Sequence, residues 1–131
     1  IEPTTISALL AEPQIAVALR RSALVEAATS REWLVNIGIR TALERLAHLF
    51  CELLLRLQVV GRATTDSFDL PLTQQDLADT TGLSNVHVNR VLQELRRQRL
   101  IELRSRSLRI LNLPGLKAAA EFKPNYLHLE D

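Results

Sequence analysis

The chain has 131 residues, 47% of them hydrophobic and 24% charged, with a net charge of +1, a profile that excludes disordered and fibrous classes. No apolar run approaches the length needed to cross a bilayer and no secretory leader is expected, so the expected location is the cytoplasm, away from membranes. A single cysteine, Cys51, excludes a disulfide framework within one chain and fits a reducing compartment. One Trp, one Tyr and three Phe leave core packing to Leu, Ala and Val, which favours helices. Methionine is absent, even at position 1, and the chain reads as a fragment or a processed form.

Pro3-Thr4-Thr5, followed by Ile6, Leu9 and Leu10, predicts a short helix ending near Ala11. Glu12-Pro13 then opens a second helix, with proline where a missing N–H costs nothing. From 14 to about 37 neither a Gly nor a further Pro interrupts it. Ala16, Leu19, Ala23, Ser30, Trp33 and Ile37 follow an approximate three-four spacing, broken by Glu26, while Ile15, Leu24, Leu34 and Val35 lie off that stripe. A helix apolar on more than one face needs cover on more than one side. In so short a chain that cover is expected from a second copy, with Leu19, Ala23, Ser30, Trp33 and Ile37 as the dimer interface.

Gly38 breaks the pattern, and Thr41-Ala-Leu-Glu44 has the spacing of a capping box that restarts the helix. Leu43, Leu46, Ala47, Phe50, Leu53, Leu54 and Leu57 give the new helix one apolar face, ending near Gly61. Residues 62–68 are polar and expected to form a mobile loop. Residues 69–72, with Pro71 inside, allow at most a short edge strand.

Thr73-Gln-Gln-Asp76 repeats the capping pattern, and Thr81-Gly82-Leu83 supplies a tight turn with glycine at its left-handed position. Ser84 can cap the next helix, whose buried stripe is Val88, Val91, Leu92 and Leu95. Two short helices joined by such a turn make a helix-turn-helix. Asn85, Val86, Asn89 and Arg90 lie off the buried stripe of the second helix, whose first turns would enter the major groove. Asn can bond adenine, Arg guanine, and Val can touch a thymine methyl. His87 could touch a phosphate or simply cover the helix side.

Arg96, Arg97 and Arg99 suit the helix C-terminus as structural or solvent-facing cations. Segments 100–103 and 108–111 alternate around Arg104-Ser-Arg-Ser107, predicting a β-hairpin wing with a basic tip. Arg104, Ser105 and Arg106 are the candidates for backbone contact. Asn112-Leu-Pro114 starts a last short helix through Phe122, with Tyr126 and Leu127 packing back. Charge supports this assignment: residues 73–113 hold seven Arg against four acids, while the segments before and after are each slightly acidic.

The stretches LPLTQQDLADTTGLSNVHVNRVLQELRRQRLI, ELRSRSLRI and RLAHLFCELLLRL, with the Glu12-Pro13 junction, resemble the C-terminal half of CRP/FNR family bacterial transcription regulators. The resemblance implies a homodimer bound to two-fold symmetric double-stranded DNA and a contact with RNA polymerase. It implies base-reading roles for Asn85, Val86, Asn89 and Arg90, and backbone-contacting roles for Thr73, Gln74 and Ser84. Many members carry Glu where this chain has Val86, so their familiar operator does not transfer. The family's N-terminal β-roll, where a cyclic nucleotide or another effector binds, has no counterpart in this sequence, so no cofactor is expected here.

The expected fold is mainly α: a short helix and a dimerisation helix over 1–40, then a winged helix-turn-helix over 41–131 with a small β-hairpin wing. The alternative is a winged helix used only for protein–protein contact, against which Arg90, Arg104 and Arg106 speak. An enzyme is not expected, because no nucleophile–base set, paired carboxylates or phosphate-cradling glycine loop occurs. Glu44 and His48 share a helix face that packing explains, and Cys51 reads as core.

Overall fold

A computed structural model describes residues 2–129. Among them are α1 (Pro3–Leu10), α2 (Pro13–Gly38), α3 (Ala42–Val59), β1 (Ser67–Asp69), α4 (Gln74–Thr81), α5 (Asn85–Arg97), β2 (Ile101–Arg104), β3 (Ser107–Ile110) and α6 (Leu113–Ala120). A 3-10 turn, Pro124–Leu127, follows. The architecture is a long helix leading into a winged helix-turn-helix, as the residue pattern predicts.

Helix α3 is the axis of the core. It starts with a reciprocal cap, in which Glu44 N donates to Thr41 Oγ1 at 3.3 Å and Thr41 N to Glu44 Oε2 at 2.8 Å. Leu46, Ala47, Phe50, Cys51 and Leu54 are then completely buried against α5, α6 and the sheet. Burial pushes the Cys51 thiol up to about 12, so it is an inert core side chain and not a nucleophile. Gly115 lets α6 close on the sheet: a Cβ there would lie 2.9 Å from Leu100 Cδ2 and 2.6 Å from Asn112 Nδ2. The helix ends at Ala120, two residues short of the expected Phe122, because Glu121 turns left-handed. Phe122, Tyr126 and Leu127 do pack back on the domain.

The segment before α4 differs from expectation. Residues 67–69 are paired, and the three-stranded antiparallel sheet has the order β1-β3-β2, with Phe68 opposite Leu108 and Leu103 opposite Leu108 on the other side. Phe68 is buried, and this anchor pulls the strand two residues earlier than Pro71 suggested. A turn built on Thr64, whose Oγ1 accepts from Ser67 N at 3.0 Å, starts it. Arg109 Nε donates to Asp66 Oδ2 at 3.2 Å and fixes the register from the outer edge.

Apart from Ala16, buried near its start, helix α2 uses one side within the chain. Val25, Ala28, Thr29, Glu32, Trp33 and Asn36 are buried or half-buried towards α3 and the C-terminal turn. Leu19, Ala23, Ser30 and Ile37 are exposed, and so are Leu24 and Leu34 at 66% and 72%. Trp33, expected on the dimer stripe, is drawn inward: its Nε1 donates to Glu52 Oε2 at 2.7 Å and its ring meets His48 edge-on. The indole N–H needs a buried acceptor, and Glu52 on α3 supplies it.

Candidate nucleic-acid interface

The candidate surface is built from two helix N-termini and one hairpin. The first begins at Thr73, where Asp76 N donates to Thr73 Oγ1 at 3.1 Å and Thr73 N to Asp76 Oδ2 at 2.9 Å. These bonds hold the Asp76 carboxyl below its usual range. Helix α4 closes at Gly82, whose φ of 68° is the left-handed turn anticipated from sequence. Ser84 then caps α5, accepting from His87 N at 3.2 Å. At Ser84 the hydroxyl oxygen accepts from the backbone, which leaves its own hydrogen available to a phosphate oxygen, whereas the Thr73 hydroxyl also bonds the Asp76 carboxyl.

Helix α5 divides sharply. Val88, Val91, Leu92 and Leu95 are buried, so the second helix has a fixed seat against α3. Asn85, Val86, His87, Asn89 and Arg90 are all exposed, and Val86, a β-branched apolar residue, is 62% exposed. Asn85 with Asn89 and Val86 with Arg90 are each four residues apart and therefore stack on one side of the helix. Gln74 is exposed at the first position of α4.

The wing turns through Ser105 and Arg106, with φ of 47° and 63°. This is the doubly left-handed turn that matches the twist of a two-residue hairpin, made here without glycine. Arg104 ion-pairs along its own strand with Glu102 at 2.7 Å. Arg106 and Arg90 have no ion pair among the described residues. At the far end of α5, Arg97 bonds Glu94 at 2.6 and 2.9 Å, and this pairing holds the Glu94 carboxyl down at about 2. The expectation of a structural role for Arg97 agrees with that geometry.

Sequence reasoning missed three features. Asn85 Nδ2 donates to Gln75 Oε1 at 2.6 Å, and Gln75 Nε2 donates to Asp79 Oδ1 at 2.8 Å, joining the two helices across the turn. The i, i+4 spacing of Gln75 and Asp79 was the available signal. Arg45 reaches the ends of both α2 and α4, donating to Ile37 O at 2.7 Å and Thr81 O at 3.3 Å. Finally, Trp33, His48, Glu52 and Tyr126 form a buried polar and aromatic cluster, in which His48 Nε2 and Tyr126 OH share a hydrogen bond at 3.0 Å.

A Crp-like helix-turn-helix domain profile matches residues 44–119. The chain belongs to the CRP/FNR family of bacterial transcription regulators. It is 35% identical over 91 residues, 70% of its length, to a probable transcriptional activator of Rhizobium leguminosarum bv. viciae. To the transcriptional activator protein FnrL of Cereibacter sphaeroides it is 32% identical over 94 residues, also 70% of its length. The chain spans 38% of the length of each of these relatives. Its fold is similar to that of FixK2 from Bradyrhizobium japonicum, with a TM-score of 0.72 at 24% identity, covering 88% of this chain and 57% of that one. CooA from Carboxydothermus hydrogenoformans gives a TM-score of 0.66 at 18% identity over 88% of this chain and 53% of that one. The family is one of transcription regulators and not of enzymes. Among the described residues no helix is long and apolar enough to cross a membrane.

Proposed function

We propose that this member of the CRP/FNR family is a cytoplasmic regulator that binds a two-fold symmetric DNA operator as a homodimer. The observation that carries the proposal is the division of α5. Four buried residues seat the helix, and Asn85, Val86, Asn89 and Arg90 have no part in the core. Together these four offer the donors, acceptors and methyl groups that distinguish base pairs in the major groove. Thr73, Gln74, Ser84 and His87 lie at the two helix N-termini, where backbone amides and dipoles favour phosphate. Arg104, Ser105 and Arg106 give the wing a basic tip for the neighbouring backbone.

The dimer rests on α2. Leu19, Ala23, Ser30 and Ile37, with Leu24 and Leu34 beside them, form an apolar helix surface uncovered by the chain itself. A second copy packed there would bury each large side chain at about 1.5–3 kcal/mol. Two reading helices about 34 Å apart would then meet successive major grooves. Residues 1–40 are thus the dimerisation unit and 41–131 the reading head. The relatives named as transcriptional activators support RNA polymerase as the protein partner.

Selection of bound sequences from a random DNA pool tests the reading. Enrichment of an inverted repeat with half-sites one helical turn apart is expected. An empty or asymmetric result would contradict it, and salt-insensitive binding would favour the protein-contact alternative.

A further inference from the structure

We propose that Asp79, acting through Gln75, fixes which end of the Asn85 carboxamide faces DNA, so that Asn85 selects adenine first and cytosine second. The inference rests on the operator-binding reading above and adds a specificity rule to it. The two ends of an amide side chain have nearly the same shape, so hydrogen-bond partners decide which end points where. A carboxylate such as Asp79 only accepts. Gln75 must therefore offer it the amide nitrogen, as the 2.8 Å bond from Nε2 to Oδ1 records.

That choice leaves Gln75 Oε1 turned towards α5, and an amide oxygen also only accepts. Asn85 must in turn present Nδ2 to it, at 2.6 Å. The Asn85 oxygen is thereby turned away from α4, with the second hydrogen of Nδ2 beside it. Adenine, with a major-groove amino donor next to the N7 acceptor, satisfies both, and the amino group of cytosine satisfies the oxygen alone. Guanine and thymine present acceptors to an acceptor.

Gln75 and Asp79 need not touch a base for this. They are positioning residues, and an amide whose orientation is already set loses less rotational freedom on binding. All three side chains are exposed, so substituting them leaves the core intact.

The test uses the full chain, random-pool selection and anisotropy titrations on single-base variants of the selected site, for wild type, Gln75→Leu, Asp79→Asn and Asp79→Lys. Wild type is expected to prefer adenine to guanine by about tenfold or more at one position of each half-site. Gln75→Leu and Asp79→Asn should flatten that preference, the latter because Asn can donate or accept. Asp79→Lys can only donate, so it should reverse the chain and raise guanine and thymine at that same position. The added charge strengthens binding to every sequence alike, which is why ranking at one position is the readout.

Identical base ranking in all four proteins would overturn the inference while leaving operator binding intact. A loss of preference spread evenly along the site would also overturn it, as a structural effect. Failure of wild type to select any sequence would overturn the operator reading and this one with it.

Discussion

Acidification should destabilise the fold through His48. Its ring is fully buried, with Trp33, Phe122 and Tyr126 ring centroids 5.7, 5.0 and 5.9 Å away. Burial, reinforced by the Arg40 charge and opposed by Glu32, lowers its pKa from 6.5 to about 4. Between those values the unfolded chain takes up a proton at position 48 that the folded chain refuses, so the unfolded state gains as pH falls. The stability is fully present above about pH 6.5 and is lost progressively towards pH 4. At about 1.4 kcal/mol per pH unit the total approaches 3 kcal/mol, a large part of the 5–15 kcal/mol typical of a domain. Urea unfolding of wild type and His48→Phe at several pH values measures it. The variant loses the bond to the Tyr126 hydroxyl at every pH, a constant offset. The wild-type advantage over the variant should therefore shrink by about 1 kcal/mol per pH unit between 6 and 4. A difference that stays level across this range would refute the reasoning.

Arg90→Ala should weaken binding to the selected operator by about 1–3 kcal/mol and relax one base position; an unchanged anisotropy titration on that operator would rule out base reading by Arg90. Arg106→Gly should separate stability from function. Glycine relieves the left-handed strain at φ 63°, worth about 1 kcal/mol and a melting point a few degrees higher. Binding to all duplexes should weaken, with the salt slope smaller by about 1, and an unchanged slope would remove the wing contact. Ala23→Glu combined with Ile37→Glu puts carboxylates on the exposed stripe of α2 and should yield monomers by sedimentation. A persistent dimer would move the interface elsewhere.

The helices were legible because each carries its own start and stop signals. The Thr41/Glu44 and Thr73/Asp76 boxes, Pro13 and Gly82 depend on local backbone chemistry, which the sequence spells directly. The buried stripe of α5 was equally plain, and subtracting it leaves the exposed face proposed to read bases. Strand β1 was not legible, since three residues beside a proline form a strand only where β3 offers an edge and the core offers Phe68 a place. Trp33 was misassigned to the dimer stripe because periodicity reports which residues share a face, not which neighbour that face meets. Its partner Glu52 lies 19 positions away, at a separation that no local pattern encodes. For the same reason the Gln75–Asn85 bond across the turn was invisible until the angle between α4 and α5 was known.

Arg45 carries the same point into function. Its Nε donates to Asn36 O at 3.1 Å and Arg40 O at 3.0 Å, while its two terminal nitrogens reach Ile37 O and Thr81 O. Asn36 and Ile37 belong to the last turn of α2, where carbonyls lack helical partners. Thr81 is the last residue of α4, next to Gly82. One planar guanidinium therefore closes α2 and joins it to the helix-turn-helix, a task for which a lysine has neither the donor number nor the geometry. In the proposed dimer held through α2, looseness at this joint would shift α5 of one protomer relative to that of its partner. Under the proposed operator binding, half-site spacing would depend on the stiffness of the joint between 36 and 45, and base preference on the exposed face of α5. The two properties occupy different residues and can vary independently within one fold.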